Sequence, residues 1–242
     1  MRPSWFNFET CFVNFIKSIE KVPANMKVTL TIVFDGSEEV FSKDFSSKYV
    51  KILKTLSLNY KLLLIFVNGG SNVKSWLQLL EIIRSKYEFD KDDLIYFLEN
   101  DYLHTEDWLH KIQELVASQV PWDYVSLYDH KDKYEFKQNH PLFIKNYSNL
   151  KSKIFVTKSS HWRSVPSTCG SFIVRPQTLY SDVRLLSFLP DRYLFPILKL
   201  LKRRRLITPM PGLSTHCMES LLSPCIDWHE ISQIEGIHSK ID

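Results

Sequence analysis

A short apolar run that ends in two carboxylates constrains the fold of this chain more than any other segment. Residues 94–98 are Leu, Ile, Tyr, Phe and Leu, and they are followed at once by Glu99 and then by Asp101. An unbroken run of this length, rich in aromatic and β-branched residues, is typical of a strand buried on both faces of a parallel sheet. We therefore predict that residues 94–98 form a central strand of an α/β sheet.

The two carboxylates predict a ligand site at the end of this strand. Side chains at positions i and i+2 of extended backbone point to the same side, so Glu99 and Asp101 can face one hard cation or one sugar. Open α/β sheets bind their ligands at this carboxyl end of the strands. The alternative is an acidic turn that caps the next helix. We favour the ligand site, because Thr105 supplies a separate N-cap for that helix.

Strand and helix patterns alternate along the rest of the chain. Apolar strand patterns occupy residues 28–34, 61–67, 94–98, 123–127, 153–157, 171–174 and 206–208. Amphipathic helix patterns occupy residues 5–19, 50–56, 71–86, 105–119, a segment that begins at Pro176, and residues 191–201, the last interrupted by Pro196. This alternation predicts a right-handed, doubly wound mixed sheet with helices on both faces. Three strand ends, at Asp35, Asn68 and Glu99, are then expected to line one edge.

Composition bounds the class of protein. The 242 residues contain no low-complexity linker, so we predict a single domain, and 24% charged with 44% apolar residues is ordinary for a globular protein. Disordered and fibrous classes are excluded. No apolar run reaches the roughly 18 to 20 residues of a membrane span, and no signal-peptide core is present, so we expect a cytoplasmic location. The four scattered cysteines favour reduced thiols over a disulfide framework.

The net charge of +4 is mild, and much of it lies in one basic run from Lys199 to Arg205. Such a run is either a solvated helix end that interacts with the helix dipole or a peripheral contact with a membrane surface. No nucleic-acid partner is expected, since no recognised module accompanies the run. Residues 131–150 are polar and tyrosine-rich, and we predict a long loop there that covers the active edge.

The order of three motifs resembles that of nucleotide-sugar glycosyltransferases of the GT-A fold, closest to the family 2 type. The motifs are FDGS at residues 34–37, NGG at 68–70 and LEND at 98–101. The downstream blocks are similar to a subgroup of small bacterial and large-virus glycosyltransferases, and they are VSLYDH at 125–130, SHWR at 160–163, PST at 166–168 and PGLSTH at 211–216. The resemblance covers nearly the whole chain, from Arg2 to Trp228.

The resemblance implies one GT-A (Rossmann-like) domain over residues 1–242. Residues 1–130 would form the nucleotide-sugar-binding half and residues 131–242 the acceptor-binding half. The family normally begins with a strand before its first helix, and residues 1–4 are too short to supply one, so the first family strand is expected to be missing. Loss of that strand would make weak or absent activity credible.

The resemblance also implies a reaction and a cofactor. The expected activity is the metal-dependent transfer of a sugar from a nucleoside-diphosphate sugar to a glycan, a lipid-linked acceptor or another hydroxyl, as in polysaccharide biosynthesis. Glu99 and Asp101 match the acidic motif whose last carboxylate holds Mn²⁺ or Mg²⁺, and Asp101 is the first choice as direct ligand. His216 resembles the third metal or diphosphate ligand that some members supply. A divalent cation would stabilise the charge that develops on the leaving diphosphate.

Four further residues are expected to bind the donor, and one is expected to act as the base. Asp35 matches the acid that contacts the nucleotide, and Asn68 ends the neighbouring strand. Arg163 and Arg175 are candidates for clamping phosphate, because a guanidinium suits bidentate phosphate contact. Asp191 is the best match to the general base that takes the proton of the acceptor hydroxyl, and plain N-capping of a helix is its alternative role.

Three secondary hypotheses remain open at the level of sequence. Asp182 is a weaker substitute for the base, and Trp162 either stacks on a sugar ring or belongs to the core. The chain could also be a catalytically silent binding module for a glycan or a partner, or a nucleotidyltransferase, although the glycine-rich phosphate loop of the latter is not found. The transferase hypothesis requires that Glu99 and Asp101 face a cleft and are not neutralised by neighbouring lysines or arginines.

Overall fold

The chain forms two compact units, and the computed structural model describes residues 1–23, 25–56, 58–134 and 151–233. The smaller unit is Ile19–Asp90, and the larger unit combines Met1–Ser18 with Lys91–Asp242. The backbone therefore divides near residues 18 and 90, whereas the sequence placed the boundary between its two predicted halves at residue 130.

The smaller unit is built on two parallel strands. They are β1 (Thr29–Asp35) and β2 (Lys61–Val67), which pair over seven residues from Thr29 opposite Lys61 to Asp35 opposite Val67. Parallel strands need a crossover connection, which helices supply here. The helices of this unit are α2 (Glu38–Ser42), α3 (Phe45–Thr55) and α4 (Asn72–Lys86). The strands predicted over residues 28–34 and 61–67 are confirmed to within one residue.

Polar N-caps start each helix of the smaller unit, as expected where the first backbone N–H groups lack helical partners. The Ser37 side chain accepts from the N–H of Val40, and the Ser71 side chain accepts from the N–H of Lys74. The apolar stripe of α3 buries Val50 and Leu53. Local sequence signals therefore account for the elements of this unit.

The larger unit contains a six-stranded mixed sheet with the strand order β3-β8-β5-β9-β7-β6. These strands are β3 (Ile95–Phe97), β5 (Tyr124–Val125), β6 (Ile154–Val156), β7 (His161–Ser164), β8 (Phe172–Val174) and β9 (Leu206–Met210). β5 and β9 are parallel, and the other neighbouring pairs are antiparallel. The fold is therefore of the mixed α/β class.

A separate two-stranded ribbon and five helices complete the described part of the larger unit. The ribbon pairs β4 (Tyr102–His104) with β10 (Ser214–His216) antiparallel, so that His216 lies opposite Tyr102. The helices are α1 (Phe8–Glu20), α5 (Trp108–Ala117), α6 (Pro176–Phe188), α7 (Asp191–Lys202) and α8 (Trp228–Ser232). The ribbon carries the two chain segments that matter most for the candidate site.

Two predictions about the acidic strand are wrong. We predicted a parallel neighbour for this strand. β3 instead pairs with β8, which runs in the opposite direction. Thr105 is not the N-cap of α5, since that helix begins three residues later with Asp107 at the cap position. The Thr105 hydroxyl instead donates to the Asp107 carboxylate at 2.8 Å. Thr105 therefore no longer supports the argument that the next helix has its own cap and that Glu99 and Asp101 are free for a ligand.

Helices α6 and α7 were largely foreseen. Pro176 occupies the first turn of α6 as predicted, where its missing N–H has no helical partner to lose. Pro196 does not interrupt α7, which runs on through it with Pro196 buried. β4, β7 and β10 had no predicted counterpart.

Aromatic side chains fill the core of the larger unit around Tyr124. Its ring packs edge-on against Phe172 and Phe195, with centroids 5.6 Å and 5.4 Å away. Trp162 is fully buried, and its ring N–H donates to the Thr157 hydroxyl at 3.1 Å. Trp162 is therefore a core residue, and its alternative role as a sugar-stacking surface is excluded. Within the described ranges, every helix is too short or too polar to cross a bilayer.

Candidate active site

Asp101 is the structural centre of the candidate site. It lies immediately before β4, and only 8% of its surface is exposed. Its Oδ2 atom lies 2.5 Å from Nη2 of Arg2 and 2.9 Å from Nε2 of His216. Its Oδ1 atom is buried and has no hydrogen-bond partner among the residues that the structure describes. Asp101 therefore joins the N-terminal segment to the β4–β10 ribbon and keeps one oxygen unsatisfied.

Opposing effects set the pKa of Asp101. Burial favours the neutral acid and would raise the pKa, but hydrogen bonds and positive charge from His216 and Arg2 outweigh burial and hold the pKa below its ordinary value. The carboxylate is therefore ionised at neutral pH, and Arg2 supplies the positive charge beside it.

The backbone ribbon fixes His216 beside Asp101. The two residues are far apart in sequence, and the pairing of β10 with β4 brings them together. The His216 ring stacks on the Tyr102 ring with centroids 5.2 Å apart and planes 12° apart. The backbone N–H of Cys217 donates to the Asp101 carbonyl at 3.0 Å. The predicted association of Asp101 with His216 is thus present as a direct contact.

Glu99 is exposed and lies next to Gly170. Its backbone N–H donates to the Ser171 hydroxyl at 3.1 Å, and a Cβ atom placed on Gly170 would lie 3.2 Å from its carboxyl group. Desolvation raises the pKa of Glu99, and the negative charges of Asp101 and Asp191 raise it further. Glu99, Asp101 and Asp191 therefore share one electrostatic neighbourhood.

Asp191 is the first residue of α7, and the N-cap position belongs to Pro190, which has no side-chain capping bond. The alternative role of Asp191 as a helix cap is therefore wrong. The residue is exposed, yet partial desolvation of its carboxyl group raises the pKa. A raised pKa suits a general base, because it brings the proton affinity of the carboxylate closer to that required near neutral pH.

Cys169 belongs to the same neighbourhood and had no sequence signal. Burial raises the pKa of its thiol to about 12, and the negative charges of Glu99 and Asp191 contribute to the increase. A thiol with this pKa stays protonated at neutral pH when no metal ion is bound, so it is not a nucleophile there. Cys169 therefore serves as a neutral wall of the site.

The described side chains do not form a ready metal site. Among the described residues, no group of three His, Cys, Asp or Glu side chains is arranged to hold a metal ion. Asp101, the first choice as ligand, instead holds the Arg2 guanidinium at 2.5 Å. The side chains as placed do not fit a dication, because this guanidinium would repel one. Binding of Mn²⁺ or Mg²⁺ by Glu99, Asp101 and His216 stays a prediction.

The two arginines predicted to clamp phosphate are engaged with other side chains. Arg163 is buried, with Nη2 2.6 Å from Oδ1 of Asp129 and its guanidinium 4.3 Å from the centre of the Tyr134 ring. Arg175 stands immediately before α6, and its guanidinium lies 4.8 Å from the centre of the Trp122 ring. Arg163 is therefore committed to an internal ion pair, whereas the Arg175 side chain has no hydrogen-bond partner among the described residues.

Asp35 and Asn68 belong to the smaller unit. The Asp35 carboxylate accepts the Ser75 hydroxyl at 2.6 Å and the backbone N–H groups of Gly69 and Gly70 at 2.9 Å and 3.1 Å. These hydrogen bonds lower the pKa of Asp35. The backbone of Asn68 exchanges two hydrogen bonds with the Gln78 side chain, each 3.0 Å long. Asp35 therefore ties the end of β1 to the turn that starts α4, in addition to its predicted contact with a nucleotide.

Substitution of Gly69 tests how firmly this turn holds Asp35. A Cβ atom on Gly69 would lie 2.2 Å from Oγ and 2.4 Å from the backbone N of Ser75, so Gly69→Ala must displace the turn. We expect a loss of about 1–3 kcal/mol in unfolding free energy, the usual cost of overpacking. Urea denaturation measures this change. The control is Gly70→Asn, since Gly70 has open space around it and asparagine tolerates its positive φ. Equal stability of the two variants would contradict the assignment.

Asp182, the substitute base, is a structural residue. It is fully buried in α6, and its carboxylate accepts from Nε of Arg204 and from the Tyr124 hydroxyl, 2.8 Å and 2.9 Å away, while Nζ of Lys202 lies 2.9 Å away. A carboxylate with three internal partners and no exposed surface cannot reach an acceptor hydroxyl. The prediction that Asp182 can replace Asp191 as base is therefore wrong.

Several side chains of the basic run from Lys199 to Arg205 form ion pairs within the chain. Lys202 and Arg204 bind Asp182, and Arg205 binds Asp123 at 3.0 Å. Lys199 remains exposed beside Leu200. Peripheral membrane contact through this run stays a prediction, with fewer free cations than the sequence suggested. The loop predicted over residues 131–150 begins with a 3-10 turn at Lys131–Tyr134, and residues 135–150 lie outside the described residues.

No protein-family model matches the chain, and no curated protein matches it. The function must therefore be argued from the site itself.

Proposed function

We propose that this protein is a nucleotide-sugar glycosyltransferase of the GT-A, family 2-like type, which transfers a sugar to a glycan, a lipid-linked acceptor or another hydroxyl. One observation carries the proposal. Asp101 and His216, which are far apart in sequence, are in direct contact, and the negative charges of Asp101 and Asp191 both raise the pKa of Glu99. Neighbouring titratable groups whose pKa values are shifted by burial and by one another are typical of functional sites.

The proposed chemistry is a single displacement at the anomeric carbon of the donor. The acceptor oxygen forms the new bond to that carbon, and the bond from the carbon to the diphosphate oxygen breaks. The diphosphate leaves with the electron pair, and the proton of the acceptor hydroxyl passes to the Asp191 carboxylate. Desolvation raises the pKa of Asp191, and this supports its role as the proton acceptor.

A second candidate function is favoured by one specific observation. The charges predicted to bind ligands are paired inside the chain: Arg2 neutralises Asp101, so the requirement that no arginine neutralises this acid is not met, and Arg163 is paired with Asp129. A transferase that had lost its metal and phosphate ligands would keep the fold and bind a glycan or a partner without catalysis. The silent binding module therefore remains the rival to the transferase.

Titration calorimetry distinguishes the two functions. Uridine, guanosine and thymidine diphosphates are titrated into the protein in EDTA and again with Mn²⁺. The transferase proposal expects saturable binding of at least one nucleotide, and the Mn²⁺ arm tests the predicted metal dependence. Heats of dilution alone, for all three nucleotides in both buffers, would overturn the transferase and leave the binding module.

A further inference from the structure

The oxygen expected to hold a metal ion holds an arginine of the same chain. The Arg2 guanidinium approaches Oδ2 of Asp101 through Nη2 at 2.5 Å, and its other terminal nitrogen donates to the Cys217 carbonyl at 2.9 Å. His216 contacts the same carboxylate oxygen from the ribbon. Two groups that carry or can carry positive charge thus converge where a dication was predicted.

The N-terminal segment is built to hold Arg2 in place. The guanidinium lies 4.5 Å from the centre of the Phe6 ring, a distance that allows a cation–π contact. The Phe6 backbone N–H donates to the Pro3 carbonyl at 3.0 Å, which closes a turn, and the Met1 carbonyl accepts from Glu219 at 3.0 Å. The Phe6 ring, the hydrogen bonds of the surrounding backbone, and the Asp101 and Cys217 acceptors therefore all hold Arg2 in place. Its position does not depend on the ion pair alone.

Arg2 also keeps hydrogen-bond donors for a ligand. A guanidinium carries five N–H groups, and the contacts to Asp101 and Cys217 use the two terminal nitrogens once each. The side chain is 34% exposed, whereas that of Asp101 is 11% exposed. Among the described residues the other N–H groups of Arg2 have no acceptor, so they are available to an anion, and a guanidinium binds phosphate oxygens in pairs.

We propose that Arg2 is the resident cation of the site and binds the diphosphate of the donor directly, without a divalent metal ion. The inference rests on the proposed transferase function and names the group that receives the donor. Asp101 acts as the positioning residue, because it orients the guanidinium through Nη2. A dication at Asp101 would meet the positive charge of Arg2 at short range, so Arg2 excludes the metal that the acids would otherwise attract.

Diphosphate binding and metal binding are measured separately on wild type, Arg2→Gln and Arg2→Lys. In EDTA, we expect wild type to bind uridine diphosphate and Arg2→Gln to bind it about 10- to 100-fold more weakly, since a charge-assisted hydrogen bond is lost. Arg2→Lys keeps the charge without the paired donors and should fall between them. Arg84→Gln is the control, because Arg84 is an exposed arginine with only a 3.8 Å contact to Glu81.

Titration of Mn²⁺, followed by electron paramagnetic resonance, gives a readout that does not involve the nucleotide. We expect no binding to wild type and a gain of binding in Arg2→Gln, where Glu99 and Asp101 lose the positive charge of Arg2. Equal Mn²⁺ binding by wild type and Arg2→Gln, or equal diphosphate affinity of the two in EDTA, would overturn the proposal. Arg2→Lys supplies the diphosphate comparison if Arg2→Gln does not fold.

The two proposals fail in different ways. If no nucleoside diphosphate binds any variant in either buffer, the transferase function is lost, and with it the role of Arg2 as a diphosphate ligand. If diphosphate binds wild type only with Mn²⁺, the transferase stands and the resident-cation proposal is overturned.

Discussion

Replacing Asp191 by asparagine is expected to lower the rate of sugar transfer by about 10²- to 10⁴-fold, the usual contribution of a general base. Asparagine keeps the size of the side chain but cannot accept the proton of the acceptor hydroxyl. The dissociation constant of the donor diphosphate should change less than about twofold, because the base acts on the acceptor. Single-turnover transfer and calorimetric donor binding measure the two quantities on the same preparation.

The control for this variant is Asp227→Asn. Asp227 also stands at the start of a helix, where its side chain accepts from the N–H of Glu230 at 3.0 Å, and asparagine can keep that bond. The Asp191 pKa is raised, so the wild-type rate should fall as the pH drops through a value above 3.8, the ordinary pKa of an aspartate. Equal losses of transfer and donor binding in Asp191→Asn would remove Asp191 from the base role.

Replacing Asp182 by asparagine is expected to cost about 3–5 kcal/mol of unfolding free energy, the typical cost of breaking a buried ion pair. The carboxylate is fully buried between Arg204, Lys202 and Tyr124. Asparagine removes the negative charge, so Lys202 loses its carboxylate partner and, among the described carboxylates, Arg204 keeps only its longer 3.5 Å contact with Asp123. Urea denaturation followed by circular dichroism measures the change, with Asp107→Asn as control. Asp107 pairs with Lys111 at the surface, where such a contact is worth under about 1 kcal/mol.

Asp182→Asn should also change how the stability of the protein depends on pH. Burial opposes ionisation of Asp182, but hydrogen bonds from Arg204, Lys202 and Tyr124 outweigh it and hold the pKa below the ordinary 3.8. A depressed pKa contributes stability that is fully present above 3.8 and is lost as the pH falls through the lower folded value. Asp182→Asn should therefore flatten the loss of wild-type stability in acid. A loss of stability as small as that of Asp107→Asn would contradict the structural role of Asp182.

Predictions from sequence succeeded where the signal is local. The strand at residues 61–67 was predicted with its bounds, because a continuous apolar run followed by NGG needs no distant information. The helix that follows was predicted to within one residue, since Ser71 caps it and its apolar spacing is regular. The strand at residues 94–98 was located, but its direction relative to its neighbour was not, because pairing direction depends on a segment more than 70 residues away.

The sequence pointed to the acidic residues of the candidate site but not to its positively charged residue, Arg2. Glu99 and Asp101 follow a strand signal, and His216 came from the resemblance. Arg2 lies in a segment without periodicity, and its contact with Asp101 spans almost a hundred residues, so no pattern near Arg2 predicts it. For the same reason the sequence could not show that Arg163 and Asp182 are committed to internal partners. Residue type predicts what a charge can do, whereas only the fold decides which partner it meets.

A crystal structure of the protein soaked with a nucleoside diphosphate and Mn²⁺ tests the central claim most directly. The claim is that Glu99, Asp101, Asp191 and His216 surround the site of donor binding. The account predicts electron density for the diphosphate beside these residues, with its oxygens within hydrogen-bond distance of Arg2. A nucleotide bound only at other residues, in a crystal whose candidate site is accessible to solvent, would contradict it.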